Sequence, residues 1–187
     1  MSVWAFLLVL LINMHLFVSN VSSSYLSDYD LEGMYSKMRL YNYVKKIDAT
    51  KDERHLKHKD FNDLMDTVSI VDKYANYSIF TTEEVTSLIM RESKFDPKAI
   101  NKSDGGRGLG QLTNINVWWK KELFWITDPY DKDQNIRGIF IALDCMYKEH
   151  GSKYQAIKHY NGSTKKSDYY ARDVIKTSKL FGKVKGS

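Results

Sequence analysis

The 187 residues carry 28 Lys and Arg against 23 Asp and Glu, a net charge of +5, with 43% apolar residues, two Pro and ten Gly. That length holds one medium domain, and the composition excludes a disordered chain and a collagen-like repeat. A single cysteine, Cys145, excludes an internal disulfide and a Cys-based zinc site, while the basic balance suits an anionic partner (nucleic acid, anionic lipid or a cell-wall polymer) without choosing among them.

Residues 3–18 read VWAFLLVLLINMHLFV, interrupted only by Asn13 and His15, and no charged side chain precedes Asp28. At about 1.5 Å per residue this stretch reaches roughly 24 Å, short of the ~30 Å hydrocarbon thickness of a bilayer. Its first part fits a signal-peptide core, and Val21-Ser22-Ser23 fits a small-residue cleavage site, although no Lys or Arg precedes the apolar run. Residues 1–23 are therefore read as a signal peptide or a membrane anchor, and residues 3–18 offer a membrane contact. Asp28, Asp30 and Glu32 come before the first base, Lys37, so the remainder is expected to be exported: periplasmic, extracellular or anchored facing the cell wall. A thiol in an exported domain is expected to be buried as a small hydrophobe.

Residues 24–57 read as a helical, charged linker. Leu31, Met34, Met38 and Tyr41 fall at helical spacing, and Lys51–Asp60 is a charge run in which the domain boundary is placed. The domain proper, residues 58–180, opens with Phe61, Leu64, Met65, Val68, Val71 and Tyr74 on one helical face. Thr81-Thr82-Glu83-Glu84 is a capping box that starts a helix with Val85, Leu88 and Ile89 on its apolar face, and the same face continues onto Glu92. Asp96-Pro97 suits an N-cap and first helical residue, residues 102–110 form a glycine-rich turn, and Gln111–Phe124 reads as a helix carrying Trp118 and Trp119. After Asp128-Pro129, the residues Ile136, Ile139, Phe140, Leu143, Met146 and Tyr147 mark a core helix capped by Gly151. Two shorter helices complete the domain, over Lys153–Tyr160 and Asp168–Ser178, the last with Tyr170, Val174 and Ile175 as packing residues, and residues 181–187 form a basic tail. With no strand run and no internal repeat, the fold class is mainly α.

Most motifs have bland readings. Five His without an H-E-x-x-H pattern imply no metal site. The glycine cluster lacks both dinucleotide and phosphate-loop spacing, and Cys145 lies inside the core helix, where packing explains it better than catalysis. Glu92 differs because it sits on an apolar face and because it heads an ordered series of short motifs. Glu92-Ser93 leads to Phe95-Asp96-Pro97 and Ala99, then to Gly108-Leu109-Gly110-Gln111, then to Asn135-Ile136-Arg137 after Asp128-Pro129, and finally to Tyr160-Asn161-Gly162.

This series resembles the catalytic domain of lytic transglycosylases of the soluble type, related to goose-type lysozymes, over about Asp60 to Ser178. Two departures stand out. The family's glycine-leucine-methionine-glutamine is here Gly108-Leu109-Gly110-Gln111, and its alanine-tyrosine-asparagine-alanine-glycine is His159-Tyr160-Asn161-Gly162-Ser163.

The resemblance implies a lysozyme-like helical domain after the N-terminal hydrophobic helix, and cleavage of the MurNAc-β-1,4-GlcNAc bond of peptidoglycan with formation of 1,6-anhydro-MurNAc. It implies that Glu92 serves as both acid and base, that Ser93 and Gln111 bind sugar or orient Glu92, that Tyr160 lines the cleft, and that Asn161 shapes its loop. No cofactor is implied. The partners are peptidoglycan strands rather than nucleic acid, and a monomer is assumed. A hydrolytic lysozyme of the same fold, or a low-activity peptidoglycan-binding adaptor of an envelope-spanning apparatus, is the alternative. Trp118 and Trp119 are candidates for stacking on sugar rings or for core packing. A general acid working near neutrality must hold its proton well above the ordinary glutamate pKa of about 4.3, and burial against the apolar face of the Val85 helix is the expected cause.

Overall fold

The computed structural model of the chain describes residues 28–51, 55–113 and 126–182. The expected targeting segment, Trp118 and Trp119, and the end of the basic tail from residue 183 lie outside the described residues. Among those described there are six helices: α1 (Asp28–Asp48), α2 (Phe61–Ala75), α3 (Thr82–Glu92), α4 (Lys132–His150), α5 (Lys153–Tyr160) and α6 (Lys165–Gly182). None is long and apolar enough to cross a membrane. Strands are absent from the described residues; the only β pairings there are the isolated bridges of Arg107 with Ile100 and with Leu112.

Helix starts are set by local chemistry. Asp60 caps α2 by accepting the Asp63 amide at 2.9 Å. The Thr81 hydroxyl accepts the Glu84 amide at 3.2 Å while the Glu84 carboxylate accepts the Thr81 amide at 2.9 Å, closing the capping box of α3. Asp131 and Ser152 cap α4 and α5 in the same way, each such cap contributing about 1 kcal/mol. Gly151 ends α4 at φ +74°, a left-handed turn suited to glycine, so that α5 can fold back against α4.

Two expectations fail locally. Asp96-Pro97 starts no helix: the Asp96 carboxylate accepts the Lys98 amide at 2.9 Å, an Asx-turn that competes with helix nucleation. Gln111 likewise begins no helix, for its φ is +50° and the adjacent Leu112 is bridged to Arg107; the remainder of that expected helix lies outside the described residues. In α1 the expected face is also out of phase. Met38 and Tyr41 are exposed, whereas Leu40, Tyr43, Val44 and Ile47 are buried, because Tyr and Met are amphiphilic enough to stand on either side of a helix.

Two units divide at Arg39 and Leu40, and the second contains the core and the site. Within it α4 packs on α2 and α5, and α3 packs on α2 and α6. Val85, Leu88 and Ile89 of α3 are fully buried, as are Ile136 and Ile139 of α4, each side chain contributing about 1.5–3 kcal/mol on burial. Cys145 is buried in α4 as expected. Lys132 reaches Asp63 at 2.6 Å and Asp66 at 2.8 Å, holding the start of α4 against α2. Glu92, at the far end of the buried face of α3, is thereby delivered to the edge of the core.

Candidate active site

Glu92 is the last residue of α3, and Ser93 is its C-cap. Beyond it the chain turns sharply: Lys94 and Phe95 take φ +57° and +66°, left-handed conformations that cost a non-glycine residue roughly 1–2 kcal/mol each. Two contacts hold this turn. The Phe95 ring is buried in the core, and the Lys94 carbonyl accepts the Lys57 amide at 2.7 Å. The helix therefore stops at Glu92, with the carboxylate at the mouth of a cavity of about 340 Å³ lined in part by Ser93, Ala99, Ile100, Asn101 and Gln111.

Tyr170 of α6 donates its hydroxyl to Glu92 Oε1 at 2.5 Å. Burial raises the Glu92 carboxyl from its ordinary 4.5 to about 7; the Tyr170 hydrogen bond opposes that rise, Asp104 adds to it, and Arg91 offsets it. Burial and the nearby Glu92 charge hold the Tyr160 and Tyr170 phenols well above their ordinary range, so both remain hydrogen-bond donors. Among the described residues lining the cavity, Glu92 is the one carboxylic acid.

The glycine-rich loop joins Asn101 to Gln111, which form part of the cavity wall. Gly108, at φ +71°, lies so close to Pro129 O and Asn135 Nδ2 that a Cβ would stand 2.2 and 2.4 Å from them. Asn135 is buried and pins this loop: its Oδ1 accepts the Gly110 amide at 2.8 Å, and its Nδ2 donates to Pro129 O at 2.7 Å and Arg107 O at 3.1 Å. Tyr160, at the end of α5, donates to the Gly110 carbonyl at 2.6 Å. A Cβ on Gly110 would sit 2.3 Å from Ile139 Cγ1 and 2.8 Å from the Tyr160 hydroxyl oxygen. The glycine at the position where the resembled motif has methionine is thus required by close packing in this chain.

The structure brings Glu92, Ser93 and Gln111 to one cavity and sets Tyr160 within electrostatic range of Glu92. Ser93 is buried and its hydroxyl donates to Ile89 O at 3.2 Å, while Gln111 Nε2 donates to Gly108 O at 2.9 Å and Ala99 O at 3.3 Å, bracing the loop. Asn161 caps α5, is exposed, and does not line this cavity. Two residues at the site escape sequence reasoning as functional. Tyr170 reads from its spacing as a packing residue, and only its distance to Glu92 reveals its other role; Asn135 belongs to a recognised motif, but nothing local assigns its three bonds.

A helical domain that seats a single partly buried glutamic acid at the head of a cleft, under a braced glycine loop, defines a lysozyme-like class. The chain belongs to the transglycosylase SLT domain family, which matches residues 69–179. Its general activity is therefore of the peptidoglycan lytic transglycosylase type, with peptidoglycan as substrate. Comparisons with curated proteins and with solved structures gave no match.

Proposed function

We propose that the protein cleaves the β-1,4 bond after N-acetylmuramic acid by transglycosylation, with Glu92 as both acid and base. The observation that carries this reading is the Glu92 carboxyl, half-buried at the cavity and held at about 7. Near neutrality it carries a proton for donation to the glycosidic oxygen as the bond from that oxygen to the anomeric carbon breaks. The resulting carboxylate then takes the proton of the muramic C6 hydroxyl, whose oxygen bonds to the same anomeric carbon. The proton returns to Glu92, the sugar closes as a 1,6-anhydro ring, and no water is consumed. A second carboxylate is not needed, in keeping with Glu92 standing alone among the described lining residues.

In this reading Tyr170 orients the carboxyl, Tyr160 and Gln111 hold the glycine loop, Ser93 closes the helix that carries Glu92, and Asn161 shapes the loop after α5. The protein acts on the wall as an exported domain, released or anchored through residues 3–18. The test is mass spectrometry of muropeptides after digestion of purified sacculi. Products lighter than the hydrolytic ones by one water are expected, and Glu92→Gln should abolish them. Reducing muramic ends would instead identify a hydrolytic lysozyme, and lysis by Glu92→Gln equal to wild type would overturn the assignment.

A further inference from the structure

A second cavity, of about 210 Å³, lies between α3 and α6 and is lined by Ser87, Met90, Arg91, Lys94, Asp173 and Thr177. It meets the Glu92 cavity at Arg91 and Lys94, which line both. Ser87 and Arg91 are one turn apart on α3, and the left-handed turn after Glu92 keeps Lys94 beside them. Ser87 is 2% exposed, and its hydroxyl oxygen has no hydrogen-bond partner among the described residues. A buried hydroxyl left so costs about 1–3 kcal/mol, and such groups in native proteins call for an explanation.

The described charges lining this region lean positive, three cations against the Glu92 carboxyl and Asp173. Lys57, Arg91 and Lys94 line the two cavities, while the second has one carboxylate among its described lining residues, Asp173, 3.7 Å from Arg91 in a half-exposed pair of the weak kind. A groove with two cations and an unpartnered hydroxyl fits an anionic group that accepts hydrogen bonds. The N-acetylated glycan backbone is uncharged, because the muramic carboxyl is consumed in the amide that attaches the peptide stem. The anions nearest the scissile bond are consequently the free carboxylates of that stem, carried by the sugar on which Glu92 acts.

We infer that the cavity between α3 and α6 is a subsite for the peptide-stem carboxylates, held by Lys94, Arg91 and the Ser87 hydroxyl. The inference rests on the glycan-cleaving reading of Glu92 and adds a source of selectivity: strands whose stems carry free carboxylates are bound in preference to strands whose stem carboxylates are amidated.

The test uses calorimetry on the full-length Glu92→Gln protein, which binds without turnover, with soluble stem-bearing glycan strands of equal length whose stem carboxylates are free or have been converted to methylamides by carbodiimide coupling. Strands with free stem carboxylates should bind about tenfold tighter, the ratio that one charge-assisted hydrogen bond supplies, and the preference should shrink with added salt. Adding Lys94→Gln or Ser87→Ala should bring the ratio close to one. Equal affinity for the two strands, or a preference that survives both substitutions together, would overturn the subsite and leave Glu92 untouched. Binding to neither strand would overturn the glycan reading and the subsite with it.

Discussion

Tyr170 and Glu92 meet at 2.5 Å, the phenol of α6 donating to the carboxyl that ends α3. A hydrogen bond to a carboxylate favours its charged form, whereas burial disfavours it, and the two influences oppose each other at one atom. Burial is the larger, leaving the group at about 7, where it can both give and take a proton. Tyr170 thus positions the acid and limits how tightly it holds its proton.

Replacing Tyr170 with Phe removes the donor while keeping the ring in the core. The Glu92 pKa should rise above about 7, moving the alkaline limb of the pH profile upward. The rate at the optimum should fall about tenfold or more, as expected for one charge-assisted hydrogen bond. A kcat/KM profile against pH separates the two effects, and a purely structural role would leave the limb where it was.

The raised pKa also has a consequence for stability. Glu92 titrates near 4.5 when unfolded and at about 7 when folded, so the native state holds the extra proton between those values. Its contribution to stability is fully present below 4.5 and is lost as pH rises through about 7. Glu92→Gln should therefore stabilise the protein relative to wild type by on the order of 2–3 kcal/mol at mildly alkaline pH, and far less in acid. Denaturant midpoints at the two pH values check the sign, while activity in wild type should decline as the pH passes about 7.

At Gly110, alanine should be costly because its Cβ meets Ile139 at 2.3 Å and the Tyr160 hydroxyl at 2.8 Å. Overpacking of this kind costs about 1–3 kcal/mol, and the displaced Tyr160 should lower activity as well. Gly105→Ala is the contrast: no atom lies within 4 Å of its Cβ, and only its φ of +79° is strained. Thermal unfolding of both variants should show Gly110→Ala to be the less stable.

Asn135→Leu leaves two polar partners, Gly110 N and Pro129 O, without their bonds in the interior, and takes one of two from Arg107 O, which keeps the Leu112 amide. The expected loss is about 2–4 kcal/mol. Because these bonds hold the loop between Asn101 and Gln111, activity measured well below the unfolding temperature should also fall several-fold. Full activity in a folded variant would show that the loop is positioned by other contacts.

Much of this molecule is local, and what is local is legible. The Thr81–Glu84 capping box, the apolar period of α4 and the left-handed stop at Gly151 are each decided within a few residues, so composition and spacing suffice to place α3 and α4. The position of Glu92 on an apolar face marks it as unusual, and the ordered motif series indicates why. Where a residue suits two environments, local reading fails. Asp96-Pro97 forms a turn rather than a helix start, and α1 buries Leu40 and Val44 rather than exposed Met38 and Tyr41.

The helical class, most helix boundaries and the identity of the candidate acid follow from residue order alone, since helix capping and periodicity depend on neighbours along the chain. Packing in three dimensions is what makes Tyr170 the partner of Glu92, ties the glycine loop to α4 through Asn135, and brings Arg91 and Lys94 to line two cavities. Such relationships join side chains far apart in the chain, and the burial that sets the acid's proton affinity exists only once the helices have packed.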